Sequence, residues 1–297
     1  MPRFILALSA VLAFASFAAS QAPPVAGTAM LLCSGFPCVD ATLGGGQHVK
    51  LLIDTGDAQS VIDSAAAKKL GLTTMPIVDR YGKATSQQHA TLRDLKVGDA
   101  TLGNVTVLVE DLSPYFASDT MPYVDGTLAY TAFKDRLLEM DYRQRKISFS
   151  EPLKSSIPCP TDCGEITLPT FGAKGPPIVV ATGFAVNGEA ITAQVDSLFA
   201  GTLLIYPHAV SRLHLDEEAK TSTKEFFRYT DGGVDMMKGA ADTESFGKEV
   251  LANGAPLYFA GPKVHLPDGM FDATVGHALL QHSVVVFDFH NMRIWVK

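Results

Sequence analysis

The sequence predicts an all-β protein built as two pseudo-symmetric, β-barrel-like lobes with a few short helices. Three observations carry that expectation. Short Val/Ile/Thr-rich runs alternate apolar and polar residues and end at Gly, Asn or Asp, the period of half-buried strands. The 25 Gly and 17 Pro are scattered singly between those runs as turn punctuation. The chain also repeats itself: Leu51-Leu52-Ile53-Asp54-Thr55-Gly56, closing on Ser60-Val61-Ile62, is echoed by Ala193-Gln194-Val195-Asp196-Ser197-Leu198, closing on Thr202-Leu203-Leu204. A repeat of this kind fixes an architecture more firmly than local propensity does.

Taken in chain order, residues 1–20 read as a secretory signal. Arg3 is the only charge there, an apolar stretch 4–15 follows, and the small residues Ala18 and Ser20 suit cleavage before Gln21. The mature protein is thus expected to be exported, periplasmic or secreted. No other apolar run approaches the ~20 residues of a spanning helix, so no membrane association is expected after cleavage. Cys33 and Cys38 form one close pair and Cys159 and Cys163 another, which in an exported chain reads as two local disulfides. A four-thiolate zinc site made from both pairs is the rival reading. Gly44-Gly45-Gly46 reads as a hairpin turn. The Asp54 segment follows, then a short helix after Ser64 that ends in Lys69-Leu70-Gly71-Leu72, and strands at 92–97 and 101–109.

Asp125-Gly126-Thr127-Leu128-Ala129 closes the first half and is matched by Asp272-Ala273-Thr274-Val275-Gly276 in the second. Sixteen residues after each leading Asp comes an Asp-aromatic step, Asp141-Tyr142 and Asp288-Phe289, opening a basic turn into a last strand. The recurrence of Asp125, Asp141, Asp272 and Asp288 at structural positions marks them as scaffold. The lobes are therefore expected at 27–152 and 164–297, joined by the Pro/Ser/Cys-rich stretch 151–164. Within the second lobe, strands are expected at 178–185, 190–195 and 284–287, and a helix after Pro207 that ends in Arg212-Leu213-His214-Leu215.

Composition narrows the function. With 24 Lys+Arg against 31 Asp+Glu the net charge is −7, spread without long single-sign runs, which argues against nucleic acid and polybasic membrane contacts. The eight His show no His-Glu-x-x-His pattern, no Ser sits in a Gly-x-Ser-x-Gly elbow, and no phosphate or dinucleotide loop is present. Neither a metal site nor a cofactor is expected.

An Asp that ends an apolar strand before Thr and Gly places a carboxylate at the tip of a tight turn. Gly permits close backbone approach, and a Thr or Ser hydroxyl can tie down a facing loop. If the two loops meet across a pseudo-twofold axis, Asp54 and Asp196 share one proton. One then serves as base toward a bound water and the other as acid toward a carbonyl oxygen.

Asp54-Thr55-Gly56 followed by Ser60-Val61-Ile62 resembles the active-site loop of retropepsin-like and pepsin-like aspartic proteases. Asp125-Gly126-Thr127-Leu128-Ala129-Tyr130 with Asp141-Tyr142 resembles the second half-motif of the exported bacterial members. The resemblance implies the acid protease fold, catalytic Asp54 and Asp196, and loop support from Thr55, Gly56, Ser60, Ser197 and Thr202. It also implies a monomer that takes a peptide or protein substrate in the cleft between lobes without any cofactor. The family covers that cleft with a β-hairpin flap, whose candidate here lies at 78–92 with Tyr81 and Gly82 at its tip; the counterpart in lobe two lies at 227–240, with Tyr229, Asp231-Gly232-Gly233, Met236 and Met237. Two departures stand out: Leu198 replaces the loop Gly of the second half, and Ala129 replaces the Gly that its partner motif keeps as Gly276. A Leu at 198 is large enough to push the second carboxylate aside or force a different turn. Two other functions thus stay open, a peptide-binding module on the same fold and a homodimer that uses only Asp54.

Overall fold

The computed structural model describes residues 27–78, 81–116, 124–155, 162–170, 177–227, 234–261 and 270–297. The signal segment 1–20, Cys159, Tyr229 and Asp231-Gly232-Gly233 lie outside these residues. The structure is mostly strand with short helices, the expected all-β class. No described helix is long and apolar enough to cross a membrane.

The alternating runs become strands because one face of each is buried. Eight of them form a sheet in the N-terminal half, ordered Leu31–Cys33, Phe36–Thr42, His48–Ile53, Gly126–Leu128, Val61–Asp63, Ala100–Glu110, Ala84–Val97 and Met75–Val78. The last six have direct counterparts in a second, fifteen-stranded sheet, ordered Glu189–Asp196, Ala273–Gly276, Leu203–Ile205, Pro256–Phe259, Val234–Ala240 and Thr223–Phe227. The first three junctions run parallel, antiparallel and parallel in both series. Each series ends in an antiparallel hairpin. Each Asp strand therefore sits centrally, beside the short strand that follows Asp125 or Asp272.

The fifteen-stranded sheet also joins the two halves. Leu137–Asp141 pairs antiparallel with Val284–Asp288, and the register runs from Leu137 opposite Asp288 to Asp141 opposite Val284. Lys146–Ser150 and Arg293–Val296 flank this central pair. Beneath it, Phe133, Phe149, Phe287 and Phe289 stack with centroid separations of 5.2–5.8 Å. Each such ring removes a large apolar area from water at roughly 25 cal/mol per Å².

The four scaffold aspartates hold backbone. Asp125 accepts from the Lys50 N–H at 2.7 Å, and Asp272 accepts from the Thr192 N–H at 2.8 Å. Asp141 and Asp288 accept from the N–H of Gln144 and Asn291, each three residues on. The glycine run forms its turn through the Leu43 N–H to Gln47 carbonyl bond at 2.8 Å.

Helices outnumber the two expected. Ser64–Lys69 is capped by Asp63, whose carboxylate accepts from the Ala66 N–H at 3.1 Å, and Pro207–Val210 starts on its proline. Asp216–Thr221, Tyr130–Phe133 and His277–Leu280 are additional. At four to six residues they are too short to establish a 3.6-residue apolar period, and tertiary contacts stabilise them.

Candidate active site

Asp54 directly follows the strand His48–Ile53, and Asp196 ends the strand Glu189–Asp196. Four buried hydrogen bonds tie the following residues together. Thr55 Oγ1 donates to the Val195 carbonyl at 2.7 Å and accepts from the Ser197 N–H at 3.1 Å. Ser197 Oγ donates to the Ile53 carbonyl and accepts from the Thr55 N–H at 3.0 Å. Both side chains are 1% exposed. Each hydroxyl thus donates to one strand and accepts from the opposite loop, so removing either leaves a buried donor and a buried acceptor unsatisfied, at a cost of about 1–3 kcal/mol per group.

The same network sets the Gly56 backbone against Asp196. A Cβ on Gly56 would lie 2.8 Å from Asp196 Cβ and 2.9 Å from its carboxyl carbon, so only glycine fits there. The N–H groups of Gly56 and Asp57 both donate to Asp54 Oδ1 at 3.1 Å, and the Leu198 N–H donates to Asp196 Oδ1 at 2.8 Å. Enclosure by protein raises the Asp54 carboxyl well above the usual range, and the charges of Asp196 and Asp57 push the same way. The same enclosure pushes Asp196 up to about 6 against the lowering effect of the Leu198 N–H. The pair therefore keeps a proton under mildly acidic conditions, the state in which one group can accept a proton while the other donates. Burial raises the phenols of Tyr142 and Tyr206, and the Asp196 charge pushes both the same way.

The remaining predicted residues brace the loops. Ser60 is fully buried, and its Oγ accepts from the Ala129 N–H at 3.0 Å. Thr202 donates its hydroxyl to the Pro256 carbonyl, while its own carbonyl accepts from the Gly276 N–H at 2.8 Å. Tyr81 and Gly82 occupy the turn between Met75–Val78 and Ala84–Val97, with Gly82 at φ +77° and Tyr81 78% exposed. Cys33 bonds to Cys38, and Cys163 is likewise disulfide-bonded, so these three are not thiolate ligands.

Both departures have a local explanation. The Leu198 side chain packs against the buried cluster of Cys33, Cys38, Leu52 and Val124, while its N–H still holds Asp196. The size that made it a threat to the loop is absorbed by an apolar recess. At Gly276 a Cβ would meet the Gly201 carbonyl at 2.1 Å and the Phe199 carbonyl at 2.5 Å. The N-terminal half has room for Ala129, which is fully buried, and its tight position is Gly126, where a Cβ would lie 2.2 Å from the Val61 carbonyl oxygen.

Two contributors escaped the sequence. Asp57 adds a third carboxylate beside the pair, its own pKa raised by burial. Gln194 Nε2 donates to the Gly56 carbonyl at 3.1 Å. The repeat offered the signal for both, because Asp57 stands where the other half has Phe199, and Gln194 stands where it has Leu52.

A search of curated proteins found no match to this chain. Residues 39–131, which carry the Asp54 loop and the Asp125 motif, match the family model described as aspartyl protease, and this match supports an aspartic protease family for the chain.

Proposed function

We propose that this chain is an exported aspartic endopeptidase of two lobes, 27–152 and 164–297, acting as a monomer. The observation that carries the reading is the Thr55–Ser197 network, whose hydrogen bonds tie the loop after Asp54 to the loop after Asp196. The family match to the N-terminal half points the same way.

In this mechanism the ionised carboxylate of the pair takes a proton from a bound water, whose oxygen attacks the scissile carbonyl carbon. The protonated partner gives its proton to the carbonyl oxygen, yielding a neutral tetrahedral diol. Collapse breaks the C–N bond, a proton passes to the departing amine, and the pair returns to its singly protonated form. The two carboxyls are positioned in advance, so little reorganisation accompanies the charge movement. A substrate strand would pair with the hairpin edges by backbone hydrogen bonds, and Tyr81 would contact its side chains.

The test is cleavage of a peptide library by the mature protein across pH 3 to 8, with Asp54→Asn and Asp196→Asn alongside. Loss of turnover in both variants is the expected result. Activity that survives Asp196→Asn and rises with protein concentration would instead assign catalysis to a dimer of Asp54 loops, and binding without turnover by folded wild type would assign a peptide-binding module.

A further inference from the structure

The junction between the two Asp loops is built twice, once polar and once apolar. On the polar side Gln194, two residues before Asp196, donates to the carbonyl of Gly56, two residues after Asp54. Gln194 Oε1 in turn accepts from Thr274 Oγ1 at 3.2 Å, and Tyr206 Oη lies 3.1 Å from that hydroxyl. On the apolar side the equivalent residues are Leu52 and Leu198. Leu198 packs against a buried cluster of Leu52, Val124, Cys33 and Cys38, in which no member is more than 5% exposed. Cys33 and Cys38 are disulfide-bonded across the hairpin formed by Leu31–Cys33 and Phe36–Thr42.

The same hairpin reaches the Asp196 loop a second time. Phe36 meets the His277 ring edge-on at 5.5 Å, and the His277 N–H donates to the Phe199 carbonyl at 3.1 Å. The Leu198 N–H donates to the Asp196 carboxylate at 2.8 Å, and the Phe199 N–H donates to the Asp196 main-chain carbonyl at 3.2 Å. We propose that Leu198 is a positioning residue, seated in a socket that the Cys33–Cys38 disulfide closes, and that the orientation of Asp196 toward Asp54 depends on that socket. This rests on the aspartic peptidase reading for its effect on turnover.

The physical reason is that the Leu52 and Leu198 side chains are apolar and meet by packing, where the other side has the Gln194 amide. Gly56 is held by a directional bond to a Gln194–Thr274–Tyr206 chain, whereas the Leu198 side chain is located by shape and burial. Packing locates a group only while the walls stay in place, and two strands linked covalently over five residues make a stiff wall.

The experiment uses the mature protein, Leu198→Ala, Leu198→Met and the double variant Cys33→Ala/Cys38→Ala, which spares the Cys163 disulfide that a reductant would attack. Two readouts are taken, steady-state cleavage across pH and carboxyl 13C NMR titration of Asp196. Asp54, Asp57, Tyr142 and Tyr206 are the titratable groups that act on it. Expected are a fall in kcat of about tenfold in Leu198→Ala with KM changed less than about threefold, a displaced Asp196 titration, recovery of both in Leu198→Met, and the same signature in the double-cysteine variant. Unchanged titration and turnover in either Leu198→Ala or the double variant would overturn the proposal, as would a loss that Met does not recover. If Leu198→Ala fails to fold, the double variant alone decides. If the wild type turns over no peptide, the peptidase reading fails, and the Asp196 titration still decides the positioning role.

Discussion

Gly56 is the residue at which the junction of the two Asp loops is most tightly specified. A methyl group there would overlap Asp196, and no flexible side-chain end is available to move away. Gly56→Ala is therefore expected to cost about 1–3 kcal/mol of stability and to lower kcat by at least about a hundredfold, measured by thermal melts and steady-state cleavage. The pH profile belongs to the same scale. With Asp196 at about 6 and Asp54 also raised, kcat/KM should climb as pH approaches about 6 and fall once the last shared proton leaves. Asp57 raises both partners by its charge. Asp57→Asn should therefore shift the whole active window toward lower pH, and a profile that stayed in place would show that Asp57 is electrostatically silent.

Among elements, the strand Thr243–Phe246 carries an anomaly. Glu244 is 1% exposed, both carboxyl oxygens lack a hydrogen-bond partner among the described residues, and burial pushes its pKa to about 7. Its folded pKa lies above the ordinary value of 4.5, so the folded state binds the proton more tightly than the unfolded chain. Stability is then full below about 4.5 and declines as pH rises toward 7, by up to about 3 kcal/mol. Glu244→Gln keeps the shape without the ionisation. Its melting temperature should vary less between pH 5 and 8 than that of the wild type, in thermal melts monitored by circular dichroism.

Over the whole molecule, the pairing of Leu137–Asp141 with Val284–Asp288 joins strands of both halves in one sheet. Cooperative unfolding in a single calorimetric transition is the expected consequence. Asp288 is the fully buried anchor of this joint, accepting from Arg293 at 2.8 Å and from the Asn291 side chain. Asp288→Ala removes the carboxylate but leaves the Arg293 charge, an imbalance expected to cost about 3–5 kcal/mol. Because the joint lies outside the Asp loops, kcat of the folded fraction should stay near wild type below the lowered melting temperature.

The sequence by itself determined the all-β class, the internal repeat and the two Asp loops. These depend on local patterns: a period of two along strands, glycine where backbones crowd, and Asp at recurring turns. Short helices such as His277–Leu280 were not legible, because one turn has no period and is stabilised by its neighbours. Tertiary structure alone decided what surrounds the carboxylates. Leu198 reads as an obstacle until Leu52, Val124 and the Cys33–Cys38 pair, from 74 to 165 positions upstream, are seen to accommodate it. Asp57 reads as an ordinary turn residue until Asp196 arrives beside it. A residue's own type sets what it can bond, but its pKa and its room are properties of neighbours that only folding brings near.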